Sequence, residues 1–212
     1  MKLSVVIPAY NEINTILEVI KRVESTPFNK EIIIVDDGST DGTREVIEKI
    51  NKDNVKVILN KRNRGKGHAL RRGLKEITGD IVIIQDADLE YYLDEYPFLI
   101  NKIINEKADV VYGSRFSGAR RIFFFHHYLG NKLLNFIASL LFNYNVTDLM
   151  TCYKAFRARV IKELDLKADG FGIEAEITAK VFKKNLRVYE VPISYNGRDY
   201  EEGKKITWRD FF

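Results

Sequence analysis

The chain has 212 residues, 45% of them hydrophobic and 30% charged, an ordinary globular balance that can bury a core. Its net charge of +4 is too small to point to a nucleic-acid binder, and Cys152, its single cysteine, excludes an internal disulfide and fits a reducing compartment. Met1 and Lys2 lead straight into a strand-like run with no secretory signal, and no stretch of about 18 uncharged apolar residues occurs, so no membrane-crossing helix is expected.

Strand-like and helix-like segments alternate through the first half. KLSVVI (2–7) reads as a strand, followed by Ile13, Ile16, Leu17, Ile20 and Val23 at helical spacing. EIIIV (31–35) is a second strand, followed by a helix through Val46, Ile47 and Ile50. VKVIL (55–59) is a third strand, and GHALRRGLKEI a third helix. DIVIIQ (80–85) is a fourth strand, with Pro97 placed for the first turn of the next helix, and ADVVYG (108–113) is a fifth. Strands this apolar, separated by helices, predict a doubly wound, mostly parallel sheet with helices on both faces, an α/β architecture. The second half is less regular. An aromatic and apolar segment covers 122–143, YKAFRA suggests a short strand, 173–185 a helix and 186–195 a last strand. With no repeat, low-complexity tract or linker, residues 1–212 are expected to form one domain, a ligand half to about 113 and an irregular half from 114.

In open parallel sheets, ligands bind outside the carboxyl ends of the strands. Those ends carry PAYNE, DDGSTDGT, NKRNRGKG and DADLE in order, four polar loops converging on one crevice. The position after the first strand lacks the glycines of a dinucleotide fingerprint, GKGHAL at 65–70 is a weak partial match, and no phosphate-cradling P-loop is present. Phosphates must therefore be handled in another way. Two acid-free basic stretches, 61–75 and 110–147, suit a phosphate or an anionic surface, although a basic run can equally be a solvated helix face. Asp86 and Asp88, two residues apart at a strand end, can point to the same side. Mg²⁺ and similar hard cations take one or two carboxylates together with substrate phosphates. An isolated Asp-x-Asp is more often a turn or a helix cap, and Asp36 and Asp37 sit in a run of turn-forming residues.

Taken together, VVIPAYNE, IIVDDGSTDGT, GKGHALRRG, DADLE, GSRF and GFGIEAEI stand in an order and at spacings that resemble family 2 glycosyltransferases of the GT-A fold, in particular the dolichol-phosphate mannose synthase-like branch. The likeness covers essentially the whole chain. It implies a nucleotide sugar in the crevice, bound by Pro8, Tyr10, Glu12, Asp36, Asp37, Lys66 and Asp86, with a divalent metal, Mg²⁺ or Mn²⁺, on Asp86 and Asp88. Glu90 replaces a Gln common in the branch and would still offer the metal a carboxylate. Asp88, Arg115, Glu176, Arg198 and Lys205 would serve the reacting centre, with Lys204 competing for the role of Lys205 and Glu174 less favoured than Glu176.

The resemblance further implies inverting hexosyl transfer, most directly mannose from GDP-mannose, to a polyprenyl or dolichyl phosphate. Arg115, Asn131 and Asn135 would stand near that acceptor. A phosphate monoester needs no strong base, because its second pKa lies at about 6. Segment 122–142 is about as long as a span, but its Asn, His and Lys residues fit an amphipathic element lying in the headgroup region. The expectation is thus a protein peripherally attached to the cytoplasmic face of a membrane. A helical hairpin packed on the core, or a dimer interface, is the other reading of that segment. A transferase using UDP-glucose or another UDP-sugar, and a non-catalytic nucleotide-sugar-binding protein, are the rival readings of function.

Overall fold

The computed structural model describes residues 1–121 and 124–198. The elements run β1 (Leu3–Ala9), α1 (Ile16–Ser25), β2 (Lys30–Asp36), α2 (Thr43–Ile47), β3 (Val55–Leu59), α3 (Lys66–Leu74), β4 (Ile81–Ile84), α4 (Tyr96–Asn105) and β5 (Val110–Ser114). They continue as α5 (Phe125–Phe142), β6 (Lys154–Arg157), α6 (Ala158–Lys162), α7 (Ile173–Lys183) and β7 (Val188–Pro192). The strands form one seven-stranded sheet in the order β3-β2-β1-β4-β6-β5-β7.

The parallel half, β3-β2-β1-β4, follows from the sequence pattern. Successive side chains of a strand point to opposite faces, so a strand covered on both sides must be apolar throughout. Val5 and Ile7 pack with α1 and α4 on one face, while Val6, Ile33 and Val35 pack with α3 and α7 on the other. The far half departs from expectation. β5 does not sit beside β4. The short strand β6 lies between them, antiparallel to both, with Val82 opposite Phe156 and Val110 opposite the same residue. β7 then adds in parallel to β5. The sheet is therefore mixed though mostly parallel, an α/β fold with helices on both faces.

Two helices differ from their sequence reading. The second stops at Ile47, before Ile50, and the short α6 was not expected. Helix α5 is the most unusual element. Of its 18 residues only Asn135 and Ala138 are buried, while Phe125, Leu129, Leu133, Phe136, Leu140 and Leu141 are all exposed, Leu140 by 73%. Their recurrence at three- and four-residue intervals lines them along the helix surface. Among the described residues no helix is long and apolar enough to cross a membrane.

Candidate nucleotide-sugar crevice

A crevice of about 380 Å³ opens at the carboxyl ends of β1, β2 and β4. Pro8, Tyr10, Glu12, Asp37, Lys66, Asp86, Asp88, Glu90, Arg115 and Arg198 all line it, so the structure brings together most of the residues singled out in the sequence. Cys152, Tyr195, Met150 and Phe171 complete the wall from the second half of the chain.

The first aspartate pair is tied to backbone. Asp36 is fully buried and outside the crevice lining, and its carboxylate accepts from the amides of Gly38 (3.1 Å) and Ser39 (3.2 Å). It shapes the turn after β2 and stands behind the crevice wall, whereas contact with base or ribose was expected of it. Asp37 accepts from Asn60 Nδ2 (2.6 Å) and from the amides of Arg64 (2.9 Å) and Gly65 (2.7 Å), and it does border the crevice. Two tight approaches hold this corner. A Cβ on Gly65 would meet the Asp169 carbonyl oxygen at 2.5 Å, and one on Gly67 would meet that of Ala168 at 2.2 Å. Glycine at both positions lets the loop before α7 close on the start of α3, where His68 N donates to Asp169 O at 3.0 Å.

The second pair is tied to side chains. Lys66 Nζ lies 2.6 Å from Asp86 Oδ1. Burial opposes ionisation of Asp86, but Lys66 outweighs it and holds the carboxyl below its ordinary range. Asp88 goes the other way: burial first, then the nearby carboxylates of Glu90 and Asp86, push its pKa well up. Between Asp88 and Glu90, Leu89 takes φ 61°, a left-handed conformation that costs about 1–2 kcal/mol. Arg198 spans the cluster. Its Nη1 and Nη2 each sit 3.2 Å from an oxygen of Glu12, Nη2 lies 3.3 Å from Asp88 Oδ2, and Nε 3.5 Å from Glu90 Oε1. Glu90 also accepts from the Tyr195 hydroxyl (2.5 Å) and from Arg198 N (2.8 Å). Those bonds use one lone pair on each oxygen, so the carboxylate keeps acceptor capacity for a metal.

Arg115 lines the crevice with one edge already engaged. Its Nε and Nη2 bind Asp148 at 2.8 Å each, and its Cζ lies 5.2 Å over the Tyr195 ring. Three expected residues are placed elsewhere. Glu176 accepts from the amides of Lys167 (2.9 Å) and Ala168 (2.8 Å) and pairs with Lys180, so it braces the loop before α7 and lies outside the crevice lining. Asn131 donates to His127 O within its own helix (2.7 Å). Asn135 is buried, donating to Thr147 O and accepting from Leu149 N (2.9 Å), and so anchors α5 to the loop that carries Asp148. Lys204 and Lys205 lie outside the described residues.

Lys154 was not singled out in the sequence, and Glu174 was ranked below Glu176. Both are buried, and Lys154 Nζ pairs with Glu174 Oε2 at 2.6 Å. A signal existed for Glu174. Ile173, Ile177 and Val181 set the inward face of α7, and Glu174 falls beside that stripe with Thr178. Glu176 instead stands four residues before Lys180, the spacing of an exposed ion pair. Nothing local marked Lys154 or Asp148.

Carboxylate oxygen is the donor type that Mg²⁺ and Mn²⁺ prefer, and burial together with Glu90 and Asp86 disfavours the charged form of Asp88, a cost that a cation beside it would relieve. Among the described residues, no three of His, Cys, Asp and Glu are grouped so as to hold a metal by themselves. A cation on Asp86 and Asp88 would thus take its remaining ligands from phosphate or water, the usual manner of Mg²⁺.

The chain is similar to several known proteins. A dolichol-phosphate mannosyltransferase of Pyrococcus furiosus is 33% identical over 96% of the chain and 59% of its own length. Glycosyltransferase AglJ of Haloferax volcanii is 29% identical over 90% of the chain and 62% of its own length. The chain thus spans about three fifths of these two relatives. Among solved structures, glucosyl-3-phosphoglycerate synthase of Mycobacterium tuberculosis, determined with Mn²⁺, UDP and glucosyl-3-phosphoglycerate, superposes with a TM-score of 0.73 at 24% identity, covering 95% of this chain and 74% of that one. The same enzyme determined with Mg²⁺ and UDP gives 0.73 as well, covering 95% and 73%. These likenesses show the GT-A fold. The model of the family "Glycosyl transferase family 2" matches residues 4–165, well over half of the sequence, and to that family the chain belongs.

Proposed function

We propose that the protein is an inverting, metal-dependent hexosyltransferase that moves a sugar from a nucleotide sugar to a polyprenyl phosphate, with mannose from GDP-mannose as the first candidate donor. The observation that carries this reading is the cluster of Glu12, Asp86, Asp88 and Glu90 at one crevice edge, with Asp88 pushed far above its ordinary pKa. The cluster sets four carboxylates against the two cations that touch it, Arg198 and Lys66, so a divalent cation would ease its remaining negative charge. Asp86 and Asp88 would hold Mg²⁺ or Mn²⁺, which when bound neutralises the departing diphosphate. Asp37 and Tyr10 border the part of the crevice offered to the nucleoside. Arg115, stiffened by Asp148, and Arg198 supply positive charge where two anionic reactants must meet. An already ionised acceptor phosphate would attack without a general base, which accords with Glu176 lying elsewhere.

The lipid acceptor is supported by the name of the Pyrococcus furiosus relative and by the exposed apolar stripe of α5. Phe and Leu at that surface would enter the acyl boundary while His126 and Lys132 stay with the headgroups. The protein would then sit peripherally on the cytoplasmic face of a membrane.

The test is transfer from GDP-mannose and from UDP-glucose to polyprenyl phosphate in anionic vesicles and to free saccharides, with Mn²⁺, with Mg²⁺ and with chelator. Metal-dependent transfer to the lipid phosphate is expected. Transfer only to saccharides overturns the acceptor, chelator-insensitive transfer overturns the metal, and nucleotide-sugar binding without transfer favours a non-catalytic role. In the same vesicles, Leu133→Ser combined with Leu140→Ser should lower co-sedimentation without lowering thermal stability. Unchanged co-sedimentation would remove α5 from the membrane reading.

A further inference from the structure

Behind Asp86 runs a ladder of alternating charge, Lys154–Glu174–Lys66–Asp86, which borders the crevice at Lys66 and Asp86 and is buried at Glu174 and Lys154. Lys154 Nζ has three N–H groups and three acceptors, Leu149 O (3.1 Å), Thr151 O and Glu174 Oε2 (2.6 Å), so it is saturated. Glu174 is 1% exposed, and its second oxygen, Oε1, is buried with no hydrogen-bond partner. A buried acceptor left unsatisfied is costly, and each such case in a folded protein calls for a reason. The cation facing this oxygen is Lys66, whose Nζ stands 3.5 Å away while it makes its short contact of 2.6 Å to Asp86. The ladder has two positive and two negative groups and is neutral as it stands.

A divalent cation on Asp86 would break that balance. It would compete with Lys66 for the same carboxylate and repel the ammonium. Lys66 would then need another anion, and the orphaned oxygen of Glu174 is within a small swing of its side chain. The close packing of Gly65 and Gly67 on residues 168–169 fixes the distance between the segment that carries Lys66 and the loop that leads into α7.

We infer that Glu174 is a positioning residue that receives Lys66 when metal takes Asp86, so that the lysine is handed from one carboxylate to the other as the site loads. This rests on the metal reading above and deepens it. Lacking the Glu174 charge, Lys66 stays on Asp86 and competes with the metal. With Lys66 also removed, the competitor is gone.

The experiment is titration with Mn²⁺, alone and with GDP, reading free Mn²⁺ by its paramagnetic resonance signal. Wild type is compared with Glu174→Gln and with Glu174→Gln/Lys66→Met. Glu174→Gln should weaken Mn²⁺ binding by about 10- to 100-fold, the usual size of an outer-partner effect. Adding Lys66→Met should restore most of the loss, which a merely structural role would not do. Should Glu174→Gln fail to fold, Lys154→Met/Glu174→Gln removes both buried charges together and should show the same weakening, again reversed by Lys66→Met. Wild-type affinity in the Glu174 variants, or no recovery on removing Lys66, overturns the hand-over while leaving the metal site standing. Absence of Mn²⁺ binding by the wild type overturns both.

Discussion

Two aspartate pairs stand at the same edge of the sheet and are held in opposite ways. Asp36 and Asp37 are gripped by backbone amides and by Asn60, partners that cannot leave unless the turns after β2 and β3 come apart. Asp86 and Asp88 face Lys66 and Arg198, long side chains that can swing away. Short sequence signals for the two pairs are nearly the same, Asp-Asp and Asp-x-Asp, yet one pair is fixed within turns and the other is met by mobile cationic side chains. What distinguishes them is the kind of donor that satisfies each carboxylate.

The sharpest way to break this contrast is Asp88→Asn. Turnover should fall by about 10²–10³-fold or more, the order lost when one preorganised electrostatic group is removed. Stability should move the other way. The folded pKa of Asp88 is raised, so its proton is bound more tightly in the folded state. Its contribution is fully present below the unfolded carboxylate pKa and is lost as pH rises through the raised folded value. Asparagine, permanently neutral, should therefore raise the thermal midpoint at neutral pH. Retained activity would remove Asp88 from the site, and a lowered midpoint would refute the electrostatic account.

Asp36→Ala tests the other side. Two amides lose a buried acceptor, and urea denaturation should show a loss of about 2–3 kcal/mol, with activity per folded molecule largely kept. A selective loss of donor affinity would instead place Asp36 in the crevice chemistry.

Glu31, at the other end of β2 and held mainly by the side chains of Lys2, Ser4 and Thr78, gives the smallest effect. Burial alone would raise its pKa, but hydrogen bonds from Lys2, Ser4 and Thr78 lower it from 4.5 to about 2. A depressed folded pKa contributes stability above the unfolded value that is lost as pH falls toward about 2. Acid titration of Glu31→Gln should show a loss of about 1–2 kcal/mol at pH 7, after screening at this partly open site, and convergence with the wild type near pH 2. Parallel curves across that range would refute the linkage.

The same contrast governs what could be read from the sequence. β1, β2 and β4 were legible because burial on both faces forces continuous apolar runs, and their loops were legible because turns and ligands both demand Gly, Asp and Asn. The insertion of β6 between β4 and β5 was not, since strand order is a tertiary choice that leaves no local mark in Lys154–Arg157. The choice between Glu174 and Glu176 depended on helical phase, which the apolar stripe of α7 carried and a motif match did not. Asp148 and Arg115 show the limit of charge patterning. A basic stretch without acids ended just where the acid that pairs with its arginine begins.

The late strand has a consequence for biosynthesis. β4 and β5 leave the ribosome well before β6, the strand that joins them, and α5 with its uncovered leucines emerges in the interval. For that time the nascent chain shows an unpaired strand edge at Ile81–Ile84 and an apolar helix surface together, the two features that most invite aggregation. Early capture of α5, by a chaperone or by a bilayer, would shield one of these hazards until residues 154–157 arrive to close the other.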